Sequence, residues 1–120
     1  MKERPNPVRE KSYGFALKII PFCRDLMENK KEYILSRQLL RPGTSIGANV
    51  EEGVNAQSKK DFANKMSIAL KESYESRYWL SLIRDSKLAT QNEIGNLLMN
   101  VQELIALLTA ILKSARSSIS

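Results

Sequence analysis

The stretch LLRPGTSIGANVEEG, Leu39 to Gly53, decides how this chain folds. Read locally, Pro42-Gly43 is a turn signal and the stretch is a loop. Read at longer range, it keeps a helical phase. Leu35, Leu39, Pro42, Ile46, Asn49 and Gly53 are spaced 4, 3, 4, 3 and 4 residues apart, a heptad-like seam that runs through Pro42 in register. A loop has no reason to keep phase, so the spacing predicts one long helix over about residues 31–55, bent or locally opened at Pro42-Gly43. An interior Pro plus Gly costs about 4 kcal/mol of helix propensity, which tertiary packing must offset. The alternative is two helices, the second capped by Thr44 or Ser45.

The flanking segments carry the same period. Phe15, Ile19, Phe22, Cys23 and Leu26 line one face of a helix over about 12–29, with Pro21 inside it. Ser58-Lys-Lys-Asp61 has capping-box spacing and opens a helix over 58–86. Its seam is Phe62, Met66, Ala69, Ser73, Ser76, Leu80 and Ile83. Thr90-x-x-Glu93, with Ala89 and Ile94 placed as a staple, opens a fourth helix over 91–115. That helix is apolar beyond the face one core needs, at Leu107 and Ala110 among others, which predicts burial on several sides and hence self-association. Residues 1–11, with two prolines, read as a flexible arm, and 117–120 as a frayed tail. The fold class is all-α: four helices with short turns predict an antiparallel up-down-up-down bundle, oligomeric.

Composition narrows the function. The 120 residues contain no His and one Cys, so His-based catalysis and zinc or iron–sulfur sites are disfavoured. The Glu-x-x-His pairs of di-iron bundles are missing, so no metal and no cofactor is expected. A single cysteine fits a reducing cytoplasm, and Cys23 reads as core filler rather than nucleophile. No apolar run approaches a membrane span, and no membrane partner is expected. The net charge of +6 suits a polyanion. Arg37, Arg41, Lys59, Lys60, Lys65, Arg77 and Arg84 are the candidate nucleic-acid contacts; solvated faces are the plainer reading of the same residues.

Two further patterns concern packing. Gly43-x-x-x-Gly47 leaves one side of helix two nearly bare, which permits close approach of a neighbouring backbone. Arg41, Ser45, Asn49 and Glu52 form a polar stripe, and Glu72, Ser73, Glu75 and Ser76 a second polar zone at core-like phase. Pairing the two predicts a structural polar network across the bundle, with Arg41 on a carboxylate and Ser45 and Asn49 bonded across the helices.

KSYGFALKII, LSRQLLRPGTSIGANVEEG and AQSKKDFANKMSIALKESYESRYWLSLI closely resemble the 23S rRNA-intervening sequence proteins, over about residues 11–113. Pro42 and Pro21 are departures from that pattern. The matching positions are Arg41, Ser45, Ile46, Asn49, Glu52, Phe62 and Glu72, taken as structural or interface residues. The resemblance implies an antiparallel four-helix bundle that assembles into a homo-oligomer, typically a pentamer. It also implies kinship with the accessory protein of diversity-generating retroelements, a basic bundle that binds nucleic acid and a reverse transcriptase. A non-enzymatic nucleic-acid-binding bundle is therefore expected. A protein-interaction scaffold, for example for a reverse transcriptase, is the alternative.

Overall fold

The computed structural model describes residues 5–119. They form four α-helices and no strand: α1 (Pro7–Asn29), α2 (Ile34–Val54), α3 (Lys59–Asp85) and α4 (Gln91–Ile119). α1 packs on α2 and α4, and α3 packs on the same two, so α1 and α3 occupy opposite corners of the bundle, with no close approach of their backbones.

α2 runs unbroken through Pro42, and no second cap forms at Thr44 or Ser45. The ring removes the donor that would reach the carbonyl of Gln38. Just beyond it, the Thr44 hydroxyl donates to the carbonyl of Leu40 at 2.8 Å. Leu39, Pro42, Gly43, Ile46, Val50 and Gly53 are all buried, so the unbroken phase did report a core seam. The bare side meets α1. A Cβ on Gly43 would lie 2.9 Å from Cγ2 of Ile19, and one on Gly47 3.3 Å from the carbonyl oxygen of Ser12. Small residues here set how closely the two helices approach.

The ends differ from expectation in three places. α1 begins at Pro7, so residues 7–11, read above as flexible arm, are helical; residues 1–4 lie outside the described residues. The cause is a helix-start signal: Asn6 Oδ1 accepts from the Arg9 amide at 3.2 Å, Pro7 follows at the first position, and Val8 is buried. α4 continues to Ile119, past the expected fraying point at 117; Ser120 lies outside the described residues. α2 starts at Ile34 rather than 31, under a cap that was not foreseen. The Glu32 carboxylate accepts from the amides of Ile34, Leu35 and Ser36 at 3.1, 2.6 and 3.1 Å.

The other two caps match their motifs. Ser58 Oγ accepts from the Asp61 amide at 3.0 Å, and Thr90 Oγ1 from the Glu93 amide at 3.4 Å. The core joins Phe15, Ile19, Leu39, Ile46, Met66, Leu80 and Leu108, among others, from all four helices. α4 is long and apolar enough to cross a membrane by length and composition alone, contrary to the expectation that no stretch is. Its Ile94, Leu97, Val101, Leu104, Leu108 and Leu112 stripe is instead part of the common core.

Candidate nucleic-acid interface

The expected polar network across the bundle does not form. Both buried serines of α3 close on their own helix: Ser73 Oγ donates to the carbonyl of Ala69 at 2.9 Å and Ser76 Oγ to that of Glu72 at 2.8 Å. Asn49 does the same, its Nδ2 donating to the carbonyl of Ser45 at 2.9 Å. A short polar side chain reaches the carbonyl one turn back with no help from a neighbour, so it can occupy a core phase without a partner across the bundle. Glu52 leaves the network too, standing exposed with Lys65 Nζ at 3.7 Å.

What survives is one cavity of about 320 Å³ between α2 and α3, lined by Gln38, Arg41, Pro42, Ser45, Glu72 and Glu75. Arg41 and Ser45 thus meet Glu72 as neighbours around a space rather than as bonded partners. Burial, and then the neighbouring Glu75, push the Glu72 carboxyl above its usual range, while Arg41 counters only weakly. Arg41 itself is exposed, at the mouth of this cavity.

The seven basic candidates divide by what already holds them. Lys59 Nζ donates to Ser118 Oγ at 3.1 Å, and Lys65 faces Glu52. Arg77 Nη1 donates to Gln102 Oε1 at 2.9 Å and lies 5.0 Å over the Tyr74 ring. Arg84 is bound to Asp85 through Nε at 2.9 Å. The side chains of Arg37, Arg41 and Lys60 have no hydrogen bond or ion pair among the described residues. Lys60 stands apart at the start of α3. Arg37 and Arg41 are one turn apart on the exposed side of α2, so they share a surface.

Beside them lies a group the sequence reading missed. The Arg37 guanidinium sits 6.0 Å from the ring centre of Tyr33, which is 44% exposed. Lys30 and Lys31 are exposed in the turn before it, Lys31 with a positive φ of 57°. An aromatic two to three residues after a Lys-Lys turn and four before an Arg was the available signal. The arrangement combines an open ring for stacking with cations for phosphates.

Cys23 is buried in the core, and burial pushes its thiol up to about 12. It is held as the neutral thiol, consistent with its role as filler. Among the described residues no three His, Cys, Asp or Glu are grouped to hold a metal ion.

The description "23S rRNA-intervening sequence protein" belongs to a family model that matches residues 4–110. Among solved structures, the chain is similar to a protein of unknown function from the S23 ribosomal protein family of Bacteroides thetaiotaomicron VPI-5482. The two share 42% identity with a TM-score of 0.86, covering 88% of this chain and 98% of that one. No curated protein matches. Matched over nearly its whole length, the chain belongs to the 23S rRNA-intervening sequence protein family.

Proposed function

We propose that this protein is a non-enzymatic, homo-oligomeric bundle that binds structured RNA or DNA through the outer ridge of α2. The observation that carries this is the pair Arg37 and Arg41, one turn apart, exposed and unpaired among the described residues, with Tyr33 under Arg37. Neither guanidinium is held by a salt bridge, although Glu72 and Glu75 line the cavity that Arg41 borders, so a phosphate backbone meets the pair without breaking a direct ion pair. Lys59, Lys65, Arg77 and Arg84 are engaged within the chain and contribute mainly to the general field of the +6 charge.

The same reading takes the bundle as antiparallel, up-down-up-down. Early residues of one helix meet late residues of its neighbour, Arg9 with Glu51 and Lys65 with Glu52, while between α1 and α4 the partner moves back as α1 advances, from Lys11 with Glu103 to Lys18 with Asn96. A lone buried thiol suits a reducing, cytoplasmic setting.

Fluorescence anisotropy with a labelled RNA hairpin and a DNA duplex, across a salt series, tests it. Binding is expected at low salt and to fall steeply as salt rises. Arg37→Ala with Arg41→Ala should lower the salt slope by about 2, near one per lost phosphate contact. Lys65→Ala should leave the slope unchanged. No binding at low salt overturns the reading. The exposed Ile34 and Met99, at 74% and 71%, favour a second reading as a scaffold for a protein such as a polymerase. Co-purification of a protein that survives nuclease treatment would support that one instead.

A further inference from the structure

We infer that copies of the chain join head to tail, the outer face of α1 on one copy meeting the outer face of α3 on the next. This deepens the self-association proposed above and rests on it, but names the two faces.

Exposed apolar residues scattered singly are ordinary. Here they are ordered. Along one side of α1 an exposed stripe runs Glu10, Tyr13, Leu17, Ile20, Arg24, with Lys11 and Lys18 exposed beside it. On α3 one runs Lys71, Tyr74, Tyr78, Leu82, Asp85, with Glu75 and Arg84 exposed beside it. Tyr13, Leu17 and Tyr78 are 66%, 56% and 60% exposed, which is far from core burial. In both strips the end charges are fourteen residues apart, about 21 Å along a helix. Their signs are opposite: acid then base on α1, base then acid on α3. Laid side by side in the same direction, the strips put Glu10 on Lys71 and Arg24 on Asp85, with three large apolar side chains from each between the charges.

The fold supplies the rest. α1 and α3 sit at opposite corners and their backbones do not approach within a chain, so the two strips cannot cover each other internally; on α3, Arg77 lies over the Tyr74 ring and Trp79 packs edge-on to Tyr78, yet both tyrosines stay exposed. In the up-down order they run in the same direction, so a neighbour related by rotation about an axis outside the bundle and parallel to its helices presents α3 to α1 in the sense the charges require. Such a contact is heterologous, and a rotation that closes generates a ring. A hollow of about 570 Å³ opens beside Glu10 and Tyr13, floored by Gly47 and Ala48, in register with the Tyr74 ring of the incoming strip. Glu10, Arg24 and Lys71 have no ion pair among the described residues. Asp85 already holds Arg84, which makes its end the weaker of the two and places the test on Glu10 and Lys71.

Multi-angle light scattering on the full chain decides it. The wild type should be an oligomer. Leu17→Glu and Tyr78→Glu should each be monomeric, with helical circular dichroism retained. Mixed in equal amounts, the two variants should form a dimer, because each keeps one sound face. Glu10→Lys and Lys71→Glu should each weaken assembly about tenfold, and the double exchange should restore it. Those last variants are surface changes and keep the test open if Leu17→Glu or Tyr78→Glu fails to fold. A monomeric wild type overturns self-association altogether. An oligomer that both glutamate variants leave intact overturns these faces but not self-association. Monomeric variants that do not combine overturn the pairing of α1 with α3.

Discussion

Glycines in this bundle are not equivalent, and their surroundings give the substitutions opposite signs. A Cβ on Gly53 would lie 2.5 Å from Cε of the buried Met66 and 3.2 Å from Cβ of Lys65, and one on Gly43 would press the equally buried Ile19. Gly43→Ala is expected to lower stability by about 1–3 kcal/mol, the range for overpacking a filled core. Gly95 has nothing within 4 Å of the same position, so Gly95→Ala should gain about 0.5–1 kcal/mol from helix propensity alone. Urea midpoints measure both. Protonation gives a second contrast. Because burial raises the Glu72 carboxyl, the stability its neutral form supports is lost as pH rises through that raised value. Glu72→Gln should therefore be more stable than wild type at pH 7, with the gap closing as the pH falls through the carboxylate range. Cys23, pushed up to about 12, should resist a thiol reagent at pH 8 until the chain is unfolded in urea.

Among the helices, the periodic stretches were legible and the ends were not. Leu39, Ile46, Met66 and Leu80 declared their faces because burial follows a fixed angular period. The start of α1 was written in Asn6-Pro7, but two prolines in a charged stretch also resemble an unstructured arm. Glu32 was harder to see: a carboxylate two residues ahead of a helix reaches back only when the turn directs it, and the turn depends on Lys31 in its left-handed conformation. Because Glu32 satisfies three amides at once, Glu32→Ala should cost about 1–2 kcal/mol, at the upper end for a lost cap. Urea denaturation of that variant at pH 7 checks it, and a loss below that of Ser58→Ala would contradict it.

For the molecule as a whole, the candidate site was half legible. Arg37 and Arg41 could be picked out as basic residues one turn apart. Which of the seven cations were already engaged depended on Ser118, Gln102 and Asp85, whose distances no spacing rule supplies. The serines of α3 misled for a related reason, since a hydroxyl at core phase gives no hint of whether it bonds its own helix or another. If copies associate as inferred, the melting temperature should climb with protein concentration across the micromolar range, because mass action favours the assembled folded state. A concentration-independent value would count against assembly.

The pattern of helix contacts also bears on how the chain reaches its fold. Three of the four packed pairs join helices that are consecutive in sequence, and only α1 with α4 must close the whole chain, through the least extensive contact of the four. Local contacts dominate, so the search should be short, with folding on the microsecond-to-millisecond scale typical of low-contact-order helical domains. The α1–α4 seam should then form after the rate-limiting step. Stopped-flow kinetics on Leu97→Ala should show faster unfolding with little change in the folding rate, while Ile46→Val, at the α2 centre, should slow folding.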